Sequence, residues 1–192
     1  MEIRAARTCF AVTSLFLILG GSSCGSNNSG PPTAAQLGKQ YKLSPTDVAG
    51  WQLDPNDSAN FQILEEGKPN NLESFMDGNS DLYTNAGCTI SIYESLVGPT
   101  PYTATFYAMY FGTAASATAM FGAQQVTYAA SDTITGFDPA VAIGYGGAAH
   151  RTIFAHFDAM YIELVVSGYG SDSTSAYDAA AKILTVLKAK TN

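Results

Sequence analysis

Residues 151–167 read Arg-Thr-Ile-Phe-Ala-His-Phe-Asp-Ala-Met-Tyr-Ile-Glu-Leu-Val-Val-Ser, two apolar-rich runs on either side of Phe157-Asp158. Alternation of side-chain type at a period of two is the mark of a strand, so this stretch is expected to form an antiparallel hairpin. A symmetric turn at Phe157-Asp158 pairs Ala155 with Met160, Ile153 with Ile162, and Arg151 with Leu164. One face then carries Ile153, Ala155, Met160, Ile162, Leu164 and Val166, and is core. The other carries His150, Thr152, Phe154, His156, Tyr161 and Glu163. That second face is half polar, so it is expected to meet water, a ligand or a partner.

Working outward, Cys88, Ile90 and Ile92 alternate with Thr89, Ser91 and Tyr93. Tyr102 to Phe111 is rich in Thr and aromatic residues, which suit a pleated surface. Helical spacing appears in three places. Asn71 can cap Leu72 to Asp77, with Gly78 ending the helix. Thr113 can cap Ala114 to Gln125, with Ala114, Ala117, Met120 and Phe121 on one side. The third helix begins at Ser173 or Ser175, sets Tyr177, Ala180, Ile183, Leu184 and Leu187 at helical intervals, and carries Lys188 and Lys190 in its last turn, where the helix dipole favours cations. Strands in adjacent runs, with helices between and after them, predict an α+β fold. The expected form is an antiparallel sheet with two or three helices packed on one face, a two-layer sandwich.

The composition supports a folded core: 46% of the 192 residues are hydrophobic and 13% charged. The net charge of −7 and the absence of a basic stripe argue against nucleic acid as a partner.

The N-terminus differs in kind from the rest. Arg4 and Arg7 precede an apolar run from Cys9 to Gly20, and Gly21, Ser22 and Ser23 then lead into Cys24. Basic start, apolar run and small residues are the order of a secretory signal; the run is about a dozen residues, short of the roughly 20 that span a bilayer. Ser22, Ser23 and Cys24 resemble the lipobox of bacterial envelope lipoproteins, although Gly21 stands where Leu is commonest. The resemblance implies cleavage after residue 23, a diacylglyceryl group on the Cys24 thiol and further acylation such as palmitate. It implies an exported chain held at the bacterial cell envelope by its lipid. Gly25 in place of Asp leans, by the same resemblance, toward the outer membrane where one exists. Cleavage would remove Arg4, Arg7 and Glu2, leaving a more acidic body with no electrostatic attraction to anionic head groups. Residues 24–42, which include Gly-Ser-Asn-Asn-Ser-Gly-Pro-Pro at 25–32, read as the lipidated cysteine and a flexible tether. A single α+β domain is expected over 43–192. Of three cysteines only Cys88 then lies in the body, which leaves no internal disulfide and no multi-cysteine zinc site.

Other motifs have plainer explanations. Asp77, Asn79 and Asp81 set oxygen ligands at alternate positions, as in the opening of a calcium loop. Leu82 and Cys88 stand where such a loop needs Gly and Glu, so a polar helix-exit turn is preferred and the three residues remain a minor metal candidate. Gly144-Tyr145-Gly146-Gly147 runs on into a strand, not into a helix N-terminus, so it reads as a bend and not as a phosphate loop. His150 and His156 share a face but lie roughly 20 Å apart along one strand at about 3.3 Å per residue, too far to share a metal. No cofactor motif is present.

The body resembles an uncharacterised family of bacterial exported domains in Gly50-Trp51, in Asn71 to Gly78 followed by Asp81-Leu82-Tyr83, and in Ala104 to Tyr110 leading into an Ala-rich helix. No activity comes with that resemblance. Tyr102, Tyr107, Tyr110 and Phe111 crowd one strand, and a sheet buried on one face does not need bulky rings on both. Either a second layer covers the outer face or an aromatic surface binds something. The function expected is a lipid-anchored binding or interaction domain without catalytic activity, meeting an envelope protein or small ligand through His150, Phe154, His156, Tyr161 and Glu163. A hydrolase using Cys88 or a carboxylate, and a purely structural lipoprotein, are the alternatives.

Overall fold

The hairpin forms, in a computed structural model that describes residues 30–76, 79–147 and 149–191. Strands β7 (His150–Phe157) and β8 (Met160–Ser167) pair antiparallel with Ala155 opposite Ile162 and Phe157 opposite Met160. The turn therefore falls on Asp158-Ala159, one residue later than expected. Asp158 takes a left-handed backbone, φ 50°, which Asp tolerates because its carboxyl can bond locally. The slip moves each partner by two positions, so every side chain keeps the face expected of it.

This hairpin sits at the centre of an antiparallel sheet of eight strands. On one side of it lie β4 (Thr103–Tyr110), β3 (Ile90–Val97) and β1 (Gln52–Leu53), with β2 (Phe61–Glu65) also paired to β3. On the other side lie β6 (Ala142–Gly146) and β5 (Asp132–Thr133). The antiparallel α+β expectation is met.

Five helices are present among the described residues instead of two or three, and they cover both faces. The face of Ile153, Ile162 and Leu164 packs against α5 (Ser173–Thr191), through Ile183, Leu184 and Leu187, and against α1 (Ala34–Tyr41), through Leu37 and Tyr41. Helix α5 lies so close to β6 that a Cβ on Gly144 would stand 2.7 Å from Tyr177 Cε1. The opposite face packs Met109, Phe154 and Tyr161 against Ala117, Met120 and Phe121 of α4 (Ala114–Thr127). The same cluster takes in Leu72 of α2 (Leu72–Phe75) and Tyr83 of α3 (Ser80–Asn85). The physical reason is the strand composition: β4, β7 and β8 are apolar or aromatic on both sides of the pleat, and such strands need cover on both.

Caps agree with the sequence. Asn71 accepts a bond from Ser74 N at 2.9 Å, and Thr113 accepts one from Ser116 N at 3.1 Å. Helix α5 starts at Ser173, one of the two serines expected, and Asp172 caps it by accepting from Ser175 N at 3.0 Å. The body begins earlier than residue 43: α1 falls inside the stretch read as tether, with a capping box between Thr33 and Gln36. Residues 1–29, with the signal and Cys24, lie outside the described residues, as does Asp77.

The loop after α1 is tied to the sheet by a carboxylate. Glu94 of β3 is fully buried on the α1–α5 face and accepts both bonds offered by Leu43 N, at 2.9 and 3.2 Å. Burial pushes its carboxyl up to about 8, against the Leu43 N–H and the nearby Lys42 and Lys190, which pull it down; Asp47 adds to the rise. Above the ordinary carboxylate range and below about 8, folded Glu94 holds a proton that the unfolded chain releases. Stability therefore declines as pH rises through that window and levels off above it. Denaturant titrations of the native chain should lose on the order of 1–3 kcal/mol between about pH 5 and about pH 9. Glu94→Gln should flatten most of that decline, and an unchanged slope would show that Glu94 is not its source.

Candidate functional site

The second face of the sheet carries one carboxylate. Pleat and register set Glu163 of β8 directly between Tyr107 of β4 and Phe154 of β7, with side chains of all three on the same side. Around them the aromatic rings fall into two groups. On the β3–β4 side, Phe75 of α2 leans on Tyr93 with ring centroids 4.6 Å apart, and Tyr93 meets Tyr107 at 5.1 Å. On the β7–β6 side, Phe154, Tyr145 and Tyr128 form a mutual cluster at 4.8 to 5.7 Å. Tyr161, also on β8, is fully buried beneath Tyr83, 6.2 Å between centroids.

Glu163 is half-buried, not solvated as the pleat alone suggested. Its neighbour across the helical layer is Tyr83, whose hydroxyl donates to Glu163 Oε2 at 2.6 Å. Gln124 of α4 in turn donates from Nε2 to the Tyr83 oxygen at 3.4 Å. Burial raises the Glu163 carboxyl above its ordinary range, and the Tyr83 hydroxyl opposes that rise. Tyr83 is raised by burial first and by the Glu163 charge second, so it stays a phenol and a donor. Tyr107 and Tyr161 are likewise driven upward, chiefly by burial. Two buried polar atoms beside this chain, the Tyr161 hydroxyl and Gln124 Oε1, have no hydrogen-bond partner among the described residues.

No cationic side chain joins Glu163. Among the described residues the ion pair within 4 Å is Lys190 with Asp47, at 3.1 Å, next to α5. Tyr128, 42% exposed, and Leu82, 48% exposed, leave apolar surface open to solvent at the ends of α4 and α3.

Of the five residues expected to bind, the structure brings Phe154, Tyr161 and Glu163 together. Phe154 and Tyr161 are buried floor, not contact surface. His156 stands across from Tyr161, but Nε2 lies 2.9 Å from the Ala140 carbonyl, Nδ1 lies 3.3 Å from Thr118 Oγ1, and the ring packs on Phe121. It is a packed, bonded histidine. His150 is exposed at the far end of β7, opposite Ser167, and takes no part. The reading missed Tyr83 and Gln124, which reach the sheet from helices that carry no strand pattern, and Tyr128 and Tyr145. Among the described residues no group of three metal-ligating side chains forms, and Asn79 and Asp81 are exposed at the start of α3.

Cys88 is buried in the same helical layer, and burial pushes its thiol up to about 12. Its sulfur donates to the Ile90 carbonyl at 3.6 Å, and the charge of Glu66 adds to the rise. A thiol so placed stays protonated, which removes it as a nucleophile.

No protein family and no curated protein in the comparisons matches the chain. It is similar in fold to the extracellular domain of PknH from Mycobacterium tuberculosis, known from a crystal structure, with a TM-score of 0.52 and 13% identity. The match covers 83% of this chain and 98% of that one. At that identity the likeness is one of fold.

Because the Tyr83 hydroxyl stabilises the charged carboxylate, Tyr83→Phe should raise the Glu163 carboxyl further. A carboxyl carbon titration by NMR, assigned through Glu163→Gln, would measure it. A downward shift or none would mean that the Tyr83–Glu163 bond is absent in solution.

Proposed function

We propose that this chain is an exported, lipid-anchored envelope domain that binds a small ligand without transforming it, on the sheet face around Glu163. The observation that carries the reading is a half-buried carboxylate set between two groups of aromatic rings, with one phenol as its hydrogen-bond donor. A carboxylate withdrawn from water without a counter-charge lowers the stability of the chain that holds it. Such a group suits a site completed by something that binds there. Rings offer contact area at low entropic cost, and Tyr128 of the second group is exposed to solvent.

The lipobox at residues 21–24 supports the anchor, and the fold shared with an extracellular bacterial domain agrees with export. Burial of the Cys88 thiol, which keeps it protonated, favours binding over thiol-based hydrolysis.

Thermal-shift measurements on the full chain, with a panel of sugars, amino acids, short peptides and organic amines, test the site. At least one compound should raise the melting temperature saturably, with stabilisation of about 2.7 kcal/mol at about a hundredfold its Kd. Glu163→Gln combined with Tyr128→Ala should abolish that shift. A panel without any saturable shift, or a shift that survives the double substitution, would overturn this site.

Intact-mass analysis of the chain from membranes of an exporting bacterial host tests the anchor. The expected product begins at Cys24 and carries diacylglyceryl and acyl mass, and Cys24→Ser should release the domain from the membrane. An uncut leader, or a bare thiol at Cys24, would remove the anchor from the account.

A further inference from the structure

The carboxylates among the described residues differ in how they are satisfied. Asp47 pairs with Lys190. Asp132 accepts from the Tyr177 hydroxyl, and Asp178 from Thr135 Oγ1 at 2.8 Å. Glu94 takes the Leu43 N–H and has Lys42 and Lys190 nearby. Glu163 alone combines withdrawal into an aromatic layer with a single phenolic donor and no cation within ion-pair distance among the described residues.

The rings beside it are of a kind that cations prefer. An aromatic face carries negative quadrupolar charge, and an organic ammonium ion gains from it most where water is partly excluded. Tyr107 flanks Glu163 on one side and Phe154 on the other, with Tyr128 and Tyr145 stacked outside Phe154 and Phe75 and Tyr93 beyond Tyr107. The chain's net charge of −7 adds a long-range attraction of the same sign. A neutral sugar would gain the stacking and leave the carboxylate without its counter-charge. An anion would be repelled.

We propose that the face around Glu163 takes a small organic ammonium ion, its positive head against the carboxylate and its substituents against the rings that are not fully buried, Tyr107, Tyr145 and Tyr128. This rests on the binding reading given above. A quaternary head meets the carboxylate by charge alone; a primary ammonium adds a hydrogen bond to the Glu163 oxygen that Tyr83 does not use.

The test compares choline with neohexyl alcohol, its uncharged carbon isostere, by titration calorimetry on the full chain, with tetramethylammonium and propylammonium as further cations. Choline should bind saturably, and the isostere at least about tenfold more weakly. Glu163→Gln should bring the two within about threefold of each other, and Tyr128→Ala should weaken the cations. Added salt should weaken choline binding and leave the isostere unaffected.

Equal binding of choline and its isostere, or choline binding unchanged in Glu163→Gln, would overturn the ammonium assignment. So would failure of every cation in the set. In each case a saturable shift with another compound of the panel, lost in the double substitution, would leave the binding site standing without this ligand class. Failure of the whole panel would remove both.

Discussion

The fold depends on burying both faces of its central strands. Ile153, Ile162 and Leu164 on one side of the pleat, and Phe154 and Tyr161 on the other, are all essentially without solvent contact. A single helical layer cannot satisfy such strands. Helices α1 and α5 take one face, and α4 with the short α2 and α3 takes the other. Each large side chain fully buried in this way contributes about 1.5–3 kcal/mol relative to exposure, which makes two-sided cover the main stabilising term of the sheet's centre. The second layer combines the 14-residue α4 with the two short helices, and beneath it Phe154 and Tyr161 are covered while Tyr107, Tyr145 and Glu163 stay half-buried.

How far this could be read from the residues depended on whether a signal was local. Alternation in the hairpin is local, so the face of every residue in β7 and β8 was legible although the turn was placed one position early. A shift of two preserves parity, and parity is all that burial requires. Asn71 and Thr113 were legible as caps because a cap depends on its own first turn. The capping box of Thr33 and Gln36 was equally local, but the preceding Gly, Ser, Asn and Pro drew α1 into the tether. What covers the outer face was not legible. Tyr83, Phe75 and Gln124 meet the sheet from distant parts of the chain, and no spacing rule connects them to Glu163.

The candidate site was half legible for the same reason. The crowding of Tyr and Phe on both sides of the pleat posed the right alternatives, a covering layer or a binding surface. The structure shows the covering layer over Phe154 and Tyr161, whereas Tyr107, Tyr145 and Glu163 are half-buried and Tyr128 is open. The two histidines were drawn in by face alone, and face says nothing of depth or of partners. His156 is held by the Ala140 carbonyl and Thr118, and His150 lies at the strand's outer end.

The fully buried Glu94 and the half-buried Glu163 show how differently one chemical group can be satisfied within a single fold. Both are raised by burial. Glu94 is met from within the chain: the backbone of Leu43 reaches it, and two lysines stand close enough to pull its carboxyl down. It therefore ties the segment after α1 to β3, a structural role complete in the isolated molecule. Glu163 is met by one phenol, itself kept neutral by burial and by the charge it faces, and that phenol can donate only one hydrogen. A carboxylate has room for more bonds than Tyr83 supplies, and its neighbours are ring faces that neither donate nor neutralise. A fold optimised for stability alone would place an apolar side chain between Tyr107 and Phe154, as it does with Ala108 and Ile162 on the other face. That a glutamate with a single donor stands there is the observation on which the proposed binding role of this face rests.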